Sequence, residues 1–345
     1  MNERLGFGVV GVNPRIRRSI LAGLSRARQA RLVAVCSRDP VKAAQTAAEF
    51  GGVGYTSFDE MLTDPQVEAV FICTPHRLHH PMALAAFAAG KRVVCEKPLA
   101  LTLAEAEEMA AAAQQSGLPN AVNFTYHSMS GHRAIARLLA EGTVGRIQHL
   151  SLTYWQARQK LPGAPPGDAL LEIGSHLIDL VYWWSEFGQA GEIRTVSSQE
   201  VLDERGQVPM WSSLARTDRD AIVTIQGNRT AAGWRNGMDC WLVGDAGTLG
   251  FTFDTDTASI QLARFGDGSP EGILHPVAIP DDLQVSYQDF PHVHLDRLSR
   301  ALLGEESFPD FAYGLRVQHA LEALKVAAQE KRWVELAELG ASDHE

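Results

Sequence analysis

The first 124 residues alternate short apolar runs with helical patterns, and this alternation restricts the possible folds more than any other feature of the chain. The apolar runs, rich in β-branched residues, lie at 6–10, 31–37, 68–74, 91–96 and 120–124, and the helical patterns lie at 14–28, 40–50, 78–90 and 103–116. Runs that are apolar along their whole length are typical of parallel strands covered on both faces. The strand–helix–strand repetition therefore predicts a doubly wound parallel sheet of the α/β class.

The pattern changes after residue 145. Strand-like residues at 146–156 lead to a Pro/Gly-rich loop at 160–169, one helix at 175–187 and a long series of strand-like runs from 191 to about 280, before two final helices at 288–303 and 311–330. Because turn residues separate these runs, we expect an antiparallel sheet in a domain of the α+β class.

The length supports two domains. A chain of 345 residues is longer than one hydrophobic core usually spans. We place the boundary near residue 123, which gives a first domain over 1–123 and a second over 124–345, with the last helix free to pack back on the first domain.

Charge and cysteine content exclude several classes of function. A formal charge of −10 disfavours nucleic acid and anionic membranes as partners. No apolar segment is long enough to cross a bilayer and the start has no secretory pattern, so a cytoplasmic protein is expected. The four cysteines, Cys36, Cys73, Cys95 and Cys240, form no C-x-x-C pair. They predict buried reduced thiols rather than a zinc site or disulfides.

The stretch VVGVNPRIRRSI (9–20) stands where a dinucleotide-binding turn belongs, between the first strand and the first helix. Such a turn normally reads G-x-G-x-x-G, but only Gly11 is present, with Asn13 and Ile16 in the other two positions. Asn13 tolerates unusual backbone angles and caps helices, and Pro14 suits the first helical position. The helix N-terminus therefore still points at the turn, where it favours anions.

Ile16 is the largest departure from that motif. A bulky residue there should push the helix and the strand apart or alter the path of a pyrophosphate. Arg15, Arg17 or Arg18 offers additional charge to a phosphate. The alternative is a plain strand–helix turn with solvated arginines and no cofactor.

Ser37 and Arg38 end the second strand, where a carboxylate normally binds the ribose 2′-hydroxyl of NAD. A carboxylate would repel a 2′-phosphate, whereas a hydroxyl with a guanidinium would bind it. This favours NADP(H) over NAD, unless the two are ordinary loop residues. Asp39 is better placed as the N-cap of the following helix.

Two later stretches carry chemically useful side chains. CEKPLA (95–100) places Lys97 at the carboxyl end of the fifth strand, the edge at which open α/β sheets bind ligands. LLEIGSHLIDL (170–180) spaces Glu172, His176 and Asp179 as one polar stripe of a helix. A carboxylate beside an imidazole raises its basicity, although a solvated helix face explains the same spacing.

These two stretches together with TPHRLHH (74–80) resemble, in order and spacing, the glucose–fructose oxidoreductase/inositol dehydrogenase (Gfo/Idh/MocA) family. The resemblance runs from about residue 5 to the final helix and includes EGTVGRIQHL (141–150). It implies a Rossmann domain followed by a domain with a large open, mostly antiparallel sheet. It also implies NAD(P)-dependent oxidation or reduction of sugars, polyols and similar alcohols.

The resemblance also implies residue roles. Lys97 would hydrogen-bond the reacting oxygen, and His176 would be the acid/base group. Glu172, where the family more often has Asp, would orient the substrate or tune Lys97. Asp179 matches the end of the motif, as a structural residue or a weaker substrate contact. Nearer the cofactor, the resemblance places Thr74, Pro75, His79, Glu96 and Lys97.

The substrate side is less defined. Asn123, Tyr154 and Arg158 are candidate substrate contacts, and Trp155, Trp183, Trp184 and Trp234 are either further sugar contacts or core residues. The loop at 161–167 is a candidate lid. An open sheet commonly buries its exposed face in a second subunit, so we expect a homodimer or homotetramer.

Three alternatives remain at this point. One is a redox-neutral glycosidase that uses NAD transiently, and another is a non-catalytic sensor of sugars or dinucleotides, which the incomplete glycine turn favours. The third is metal-dependent hydrolysis through His76, His79 and His80, which lack an obvious acidic partner; we expect no metal.

Overall fold

The computed structural model describes residues 4–158, 168–255, 257–266 and 272–339. The chain forms two compact units, and neither is continuous in sequence. The first consists of Met1–Ser128 and Val285–Gln318, and the second of Met129–Gln284 and His319–Glu345. The sequence-based boundary at residue 123 thus differs in that residues 285–318 return to the first unit.

The first unit contains a six-stranded sheet in which every neighbouring pair is parallel. Its strands are β1 (Leu5–Val10), β2 (Ala30–Cys36), β3 (Val53–Tyr55), β4 (Ala69–Ile72), β5 (Arg92–Cys95) and β6 (Asn120–Val122). The order β3-β2-β1-β4-β5-β6 is that of a doubly wound Rossmann sheet, which confirms the predicted class. The sequence missed β3, a three-residue strand without a buried apolar run.

Helices fill the connections between these strands. They are Pro14–Ile16, which continues through a π-helical segment Arg17–Leu21 into Ala22–Arg26, then Pro40–Phe50, Phe58–Thr63, His79–Ala88 and Leu103–Ser116. Asp39 caps the helix Pro40–Phe50, because its carboxylate accepts from the amides of Val41 and Lys42. Thr102 and Glu105 form the capping box of the last one.

The helix Phe290–Leu302 explains why the first unit is discontinuous. Its Leu295, Leu298 and Leu302 are buried in the same core as strand β1. The Asp296 carboxylate accepts hydrogen bonds from the amides of Arg28 and Gln29, at 2.7 and 2.8 Å. These contacts join residues more than 260 positions apart, which no local pattern reveals.

The second unit contains a nine-stranded, mostly antiparallel sheet. Its strands are β7 (Ile147–Trp155), β8 (Ile193–Val201), β9 (Met210–Thr217), β10 (Ile222–Asn228), β11 (Gly237–Gly244), β12 (Gly247–Asp254), β13 (Thr257–Arg264), β14 (His275–Val277) and β15 (Val334–Glu335). The order is β14-β13-β12-β11-β7-β10-β9-β8-β15, and the pair β7–β10 is parallel. The predicted α+β class is confirmed.

Helices Ser130–Ala140 and Ser175–Gly188 belong to the second unit, the latter preceded by a π-helical segment Leu170–Gly174. The last helix, Phe311–Glu330, contributes residues to both units. Trp184 is fully buried, and its ring lies 5.9 Å from that of Phe251. This tryptophan is therefore part of the core of the second unit.

All four cysteines are buried and form no disulfide, as predicted. Among the described residues, no helix combines the length and the apolar character needed to cross a membrane.

Candidate functional site

The turn after β1 keeps the bend of a dinucleotide-binding loop. Gly11 has a φ of +92°, and a Cβ at this position would lie 2.6 Å from the carbonyl oxygen of Cys73. Only glycine fits there. Asn13 caps the following helix, because its Oδ1 accepts from the amides of Arg15 (2.9 Å) and Ile16 (3.1 Å). The predicted order of N-cap and Pro14 at the first helical position is confirmed.

Ile16 is a core residue. Its side chain is 1% exposed and packs in the cluster that contains Leu21 and Leu24. The helix widens directly afterwards into the π-helical segment Arg17–Leu21. In the usual motif the third glycine lets the helix pack closely on the sheet. Here the Ile16 side chain fills the space between them.

A cleft of about 360 Å³ opens at the carboxyl ends of β1, β2 and β4. In this strand order, β1 and β4 flank the switch point at which open α/β sheets bind ligands. The cleft is lined by six of the predicted cofactor residues: Gly11, Asn13, Ser37, Arg38, Thr74 and Pro75. The structure therefore brings these together at one edge of the sheet.

The cleft also includes residues that the sequence reasoning missed. Lys42, Thr56 and Phe58 line it together with Arg38. Lys42 is four positions after Arg38, across the start of the helix capped by Asp39, and this spacing was the only signal available. Asp39 also lines the cleft, but its carboxylate already accepts two backbone amides.

The three arginines of the first helix lie outside the lining of this cleft. Arg15 forms an ion pair with Glu96, at 2.8 Å between Nη2 and Oε1. Arg17 donates to the hydroxyl of Thr46 at 2.7 Å and pairs with Glu49. Arg15 and Ile16 were predicted to bind the cofactor directly, but neither residue lines the cleft.

Glu96 instead anchors a buried polar chain at the end of β5. Its Oε1 also accepts from Nδ2 of Asn123, at 3.1 Å. The Asn123 Oδ1 lies 2.6 Å from Nε2 of His294, and Nδ1 of His294 lies 2.8 Å from the hydroxyl of Ser128. Burial and the nearby positive charge of Arg297 lower the pKa of His294 to about 3. The His294 ring is therefore neutral. Because an amide oxygen can only accept, Nε2 of His294 donates to Oδ1 of Asn123, and this contact fixes the orientation of the Asn123 amide.

Lys97 follows at the same edge, with 7% of its surface exposed. His79, which the family resemblance puts near the cofactor, is fully buried and faces two backbone carbonyls, those of Pro98 (3.0 Å) and Thr74 (3.1 Å). Burial lowers the pKa of His79. Its ring therefore joins the loop after β4 to the loop that carries Lys97.

The three histidines of the stretch 74–80 have different contacts. His80 pairs with Glu108 at 2.7 Å, and the ring of His76 lies 5.4 Å from that of His79. Within the part of the chain that the structure describes, no three His, Cys, Asp or Glu side chains group as metal ligands. The hydrolytic alternative gains no support from this geometry.

In the second unit, the three residues of the predicted polar stripe differ in exposure. Asp179 is fully buried, whereas Glu172 and His176 are partly exposed. Glu172 lies in the π-helical segment Leu170–Gly174, so the widened turn changes its direction relative to a regular helix. The burial of Asp179 supports the structural role.

The other substrate candidates of this unit have separate environments. The hydroxyl of Tyr154 donates to Oδ1 of Asn236 at 3.1 Å. Arg158 is exposed. Trp155 and Trp234, whose rings are 5.2 Å apart, line a second cavity of about 630 Å³ on the sheet. The proposed lid at 161–167 lies outside the described residues.

The fold and the cleft are those of a dinucleotide-binding protein with a second unit of the α+β class. Residues 5–124 match the family described as "Oxidoreductase family, NAD-binding Rossmann fold", and residues 132–250 match the C-terminal domain of that family. The chain therefore belongs to the Gfo/Idh/MocA family of NAD(P)-dependent oxidoreductases, and the resemblance seen in the sequence is confirmed.

Levoglucosan dehydrogenase of Pseudarthrobacter phenanthrenivorans is 26% identical over 354 aligned positions, which cover 89% of this chain and 90% of the relative. The 1,5-anhydro-D-fructose reductase of Ensifer adhaerens is 39% identical over 141 residues, but the match spans only 41% of this chain and 42% of that relative. A solved NAD-binding oxidoreductase from Klebsiella pneumoniae superposes with a TM-score of 0.86 at 25% identity, covering 97% of this chain and 99% of its own. A nicotinamide cofactor follows from the family.

Proposed function

We propose that this protein is an NADP(H)-dependent oxidoreductase that transfers a hydride between the nicotinamide and a secondary alcohol or carbonyl of a sugar or polyol-like molecule. The observation that carries the proposal is the position of Lys97, at the same carboxyl edge of the parallel sheet as the dinucleotide cleft. Two relatives whose names refer to levoglucosan and 1,5-anhydro-D-fructose support a sugar-like substrate.

The residues present fit a dinucleotide. Gly11 makes the tight bend of the turn, with a φ of +92° that other residues rarely adopt, and it lines the cleft. Ser37, Arg38 and Lys42 would hold the adenosine end. The cofactor, when bound, supplies or accepts the hydride, which is chemistry that side chains do not provide.

The protein's own task is to control charge and protons at the substrate oxygen. We assign to the Lys97 ammonium the stabilisation of negative charge that develops there, and to His176 the delivery or removal of the proton. Glu172 would orient the substrate or tune Lys97. General acid–base assistance of this kind is typically worth about 10²–10⁴-fold in rate.

The preference for NADP(H) rests on the charges at the end of β2. Arg38 and Lys42 place two cations in the cleft lining. The one acidic residue that accompanies them, Asp39, has its carboxylate engaged by the amides of Val41 and Lys42. A 2′-phosphate would thus meet positive charge and a hydroxyl.

Fluorescence titration tests this preference. Arg38→Ala and Lys42→Ala should each weaken NADPH binding by about tenfold, a loss of about 1.4 kcal/mol, and leave NADH binding nearly unchanged. Arg28→Ala, at an exposed arginine that does not line the cleft, is the matched control. Equal affinity for NADH and NADPH in the unmodified protein would contradict the preference.

A spectrophotometric screen tests the activity. Sugars, inositols, keto-sugars, levoglucosan and 1,5-anhydro-D-fructose are offered with NADP(H) and NAD(H), and absorbance at about 340 nm reports net turnover. We expect turnover that Lys97→Ala abolishes while NADPH binding persists. Release of p-nitrophenol from aryl glycosides without net cofactor change would indicate the glycosidase, and sugar binding without turnover would indicate the sensor.

A further inference from the structure

Arg229 is a buried cation that the proposed chemistry does not yet use. It follows β10, and its amide donates to the carbonyl of Pro209 at 2.9 Å. The residue is 3% exposed. Among the residues that the structure describes, neither Nε nor Nη1 of its guanidinium has a hydrogen-bond partner, although both atoms are buried. Buried charges normally have partners, because the loss of water is otherwise uncompensated.

Three charged side chains act on the guanidinium. The carboxylates of Glu172 and Asp168 attract the guanidinium, and Arg158 repels it. Neither carboxylate accepts a hydrogen bond from Nε or Nη1. Asp168 is already engaged, because its Oδ1 accepts the amides of Leu170 (2.7 Å) and Leu171 (3.2 Å) at the start of the helical segment.

The geometry of a guanidinium makes these two atoms informative. A carboxylate binds in bidentate fashion through Nη2 together with either Nε or Nη1. Each of the two binding edges of Arg229 therefore retains an unused donor. A carboxylate presents two acceptor oxygens in the spacing of such an edge, which a single hydroxyl group does not.

We propose that Arg229 is a substrate-binding residue that recognises a carboxylate of the substrate, so that the preferred substrates are acidic sugars of the uronic or aldonic acid class. This inference rests on the proposed function, because it places Arg229 beside the segment that carries Glu172 and His176. Arg158 adds positive potential at the same position. The carbon that is oxidised or reduced is a different carbon of the sugar from the carboxylate carbon.

Calorimetric titration of the NADPH-loaded full chain tests the proposal with matched pairs: D-glucuronate against D-glucose, D-galacturonate against D-galactose, and D-gluconate against D-sorbitol. At least one acid should bind about tenfold or more tightly than its neutral partner. Arg229→Met should remove that advantage and leave the affinity for the neutral partner within about threefold. Arg229→Lys should retain an intermediate advantage, because it keeps the charge and loses the planar fork.

Arg205→Met, at an exposed arginine of the same unit, is the control and should change nothing. The proposal is overturned if no acid binds more tightly than its neutral partner, or if Arg229→Met weakens both members of a pair equally. If Arg229→Met does not fold, Arg229→Lys is the test. An unchanged ratio between the affinities for the acid and for its neutral partner in Arg229→Lys would refute a role for the planar guanidinium. NADPH binding is measured separately, so failure of the proposed function is distinguishable from failure of this inference.

Discussion

Replacing Ile16 with alanine should destabilise the first unit strongly while leaving cofactor binding intact. The side chain is 1% exposed and lies in the core between the first helix and the sheet. Truncation of a buried isoleucine to alanine typically costs about 2–5 kcal/mol, because the apolar contacts are lost and a cavity remains. Ile16→Gly, which restores the glycine of the motif, should cost about 1 kcal/mol more.

The assay exploits the distribution of tryptophans. All seven, at 155, 183, 184, 211, 234, 241 and 333, belong to the second unit, so their fluorescence reports that unit alone. Far-UV circular dichroism reports both units. With a urea m-value of about 2 kcal/mol/M, the dichroism transition of the first unit should move by about 1–2.5 M.

Val41→Ala provides the matched control, since Val41 is a helical residue that is 62% exposed. Its transition should stay within about 0.5 kcal/mol of the parent protein. The NADPH dissociation constant of Ile16→Ala should change by less than about threefold, because the residue lies outside the cleft lining. A loss of stability below about 1 kcal/mol, or a large loss of NADPH affinity at unchanged stability, would refute this reasoning.

Three further predictions concern the same unit. Gly11→Ala, with φ of +92° and a Cβ 2.6 Å from the Cys73 carbonyl oxygen, should destabilise by about 1–3 kcal/mol in urea unfolding and weaken NADPH binding, because the turn must shift; unchanged stability and binding would contradict the need for glycine. Asn13→Gly frees the amides of Arg15 and Ile16 for a phosphate, so it should tighten NADPH binding in titration at a cost of only a few tenths of a kcal/mol in stability; weaker binding would show that the Asn13 side chain itself contacts the cofactor. His294 is neutral in the folded protein and charges when unfolded, because its pKa falls from 6.5 to about 3. The unfolded state then binds more protons between those values, so stability drops as pH falls below 6.5, by up to about 1.4 kcal/mol per pH unit, and His294→Gln should flatten that slope; an unchanged slope between pH 4 and 6 would be evidence against it.

The sequence predicted the features that depend on short-range patterns. The helices at 40–50 and 103–116 have the predicted bounds, because their caps and their periodicity are local. Gly11 was recognised as the bend of the turn for the same reason. Strand β3 escaped detection, because three partly exposed residues carry no periodic signal.

The remaining features depend on contacts between residues far apart in the chain. The return of Phe290–Leu302 to the first unit and the polar chain from Glu96 through Asn123 to His294 join positions separated by up to 171 residues. Ile16 illustrates a different limit: the motif marked it as a departure from glycine, but only the packed structure shows that it belongs to the core. Arg229 gave no signal, because an arginine after a strand usually faces water.

The role proposed for Lys97 is at the reacting oxygen and not in cofactor affinity. The most direct measurement is the rate of hydride transfer in a single turnover, followed by the nicotinamide absorbance after NADPH-loaded protein is mixed with a carbonyl substrate from the screen, or NADP⁺-loaded protein with an alcohol substrate. Lys97→Met should lower this rate by about a hundredfold or more while the NADPH dissociation constant stays within about threefold. A rate equal to that of the unmodified protein, or a loss explained entirely by weaker NADPH binding, would contradict the account.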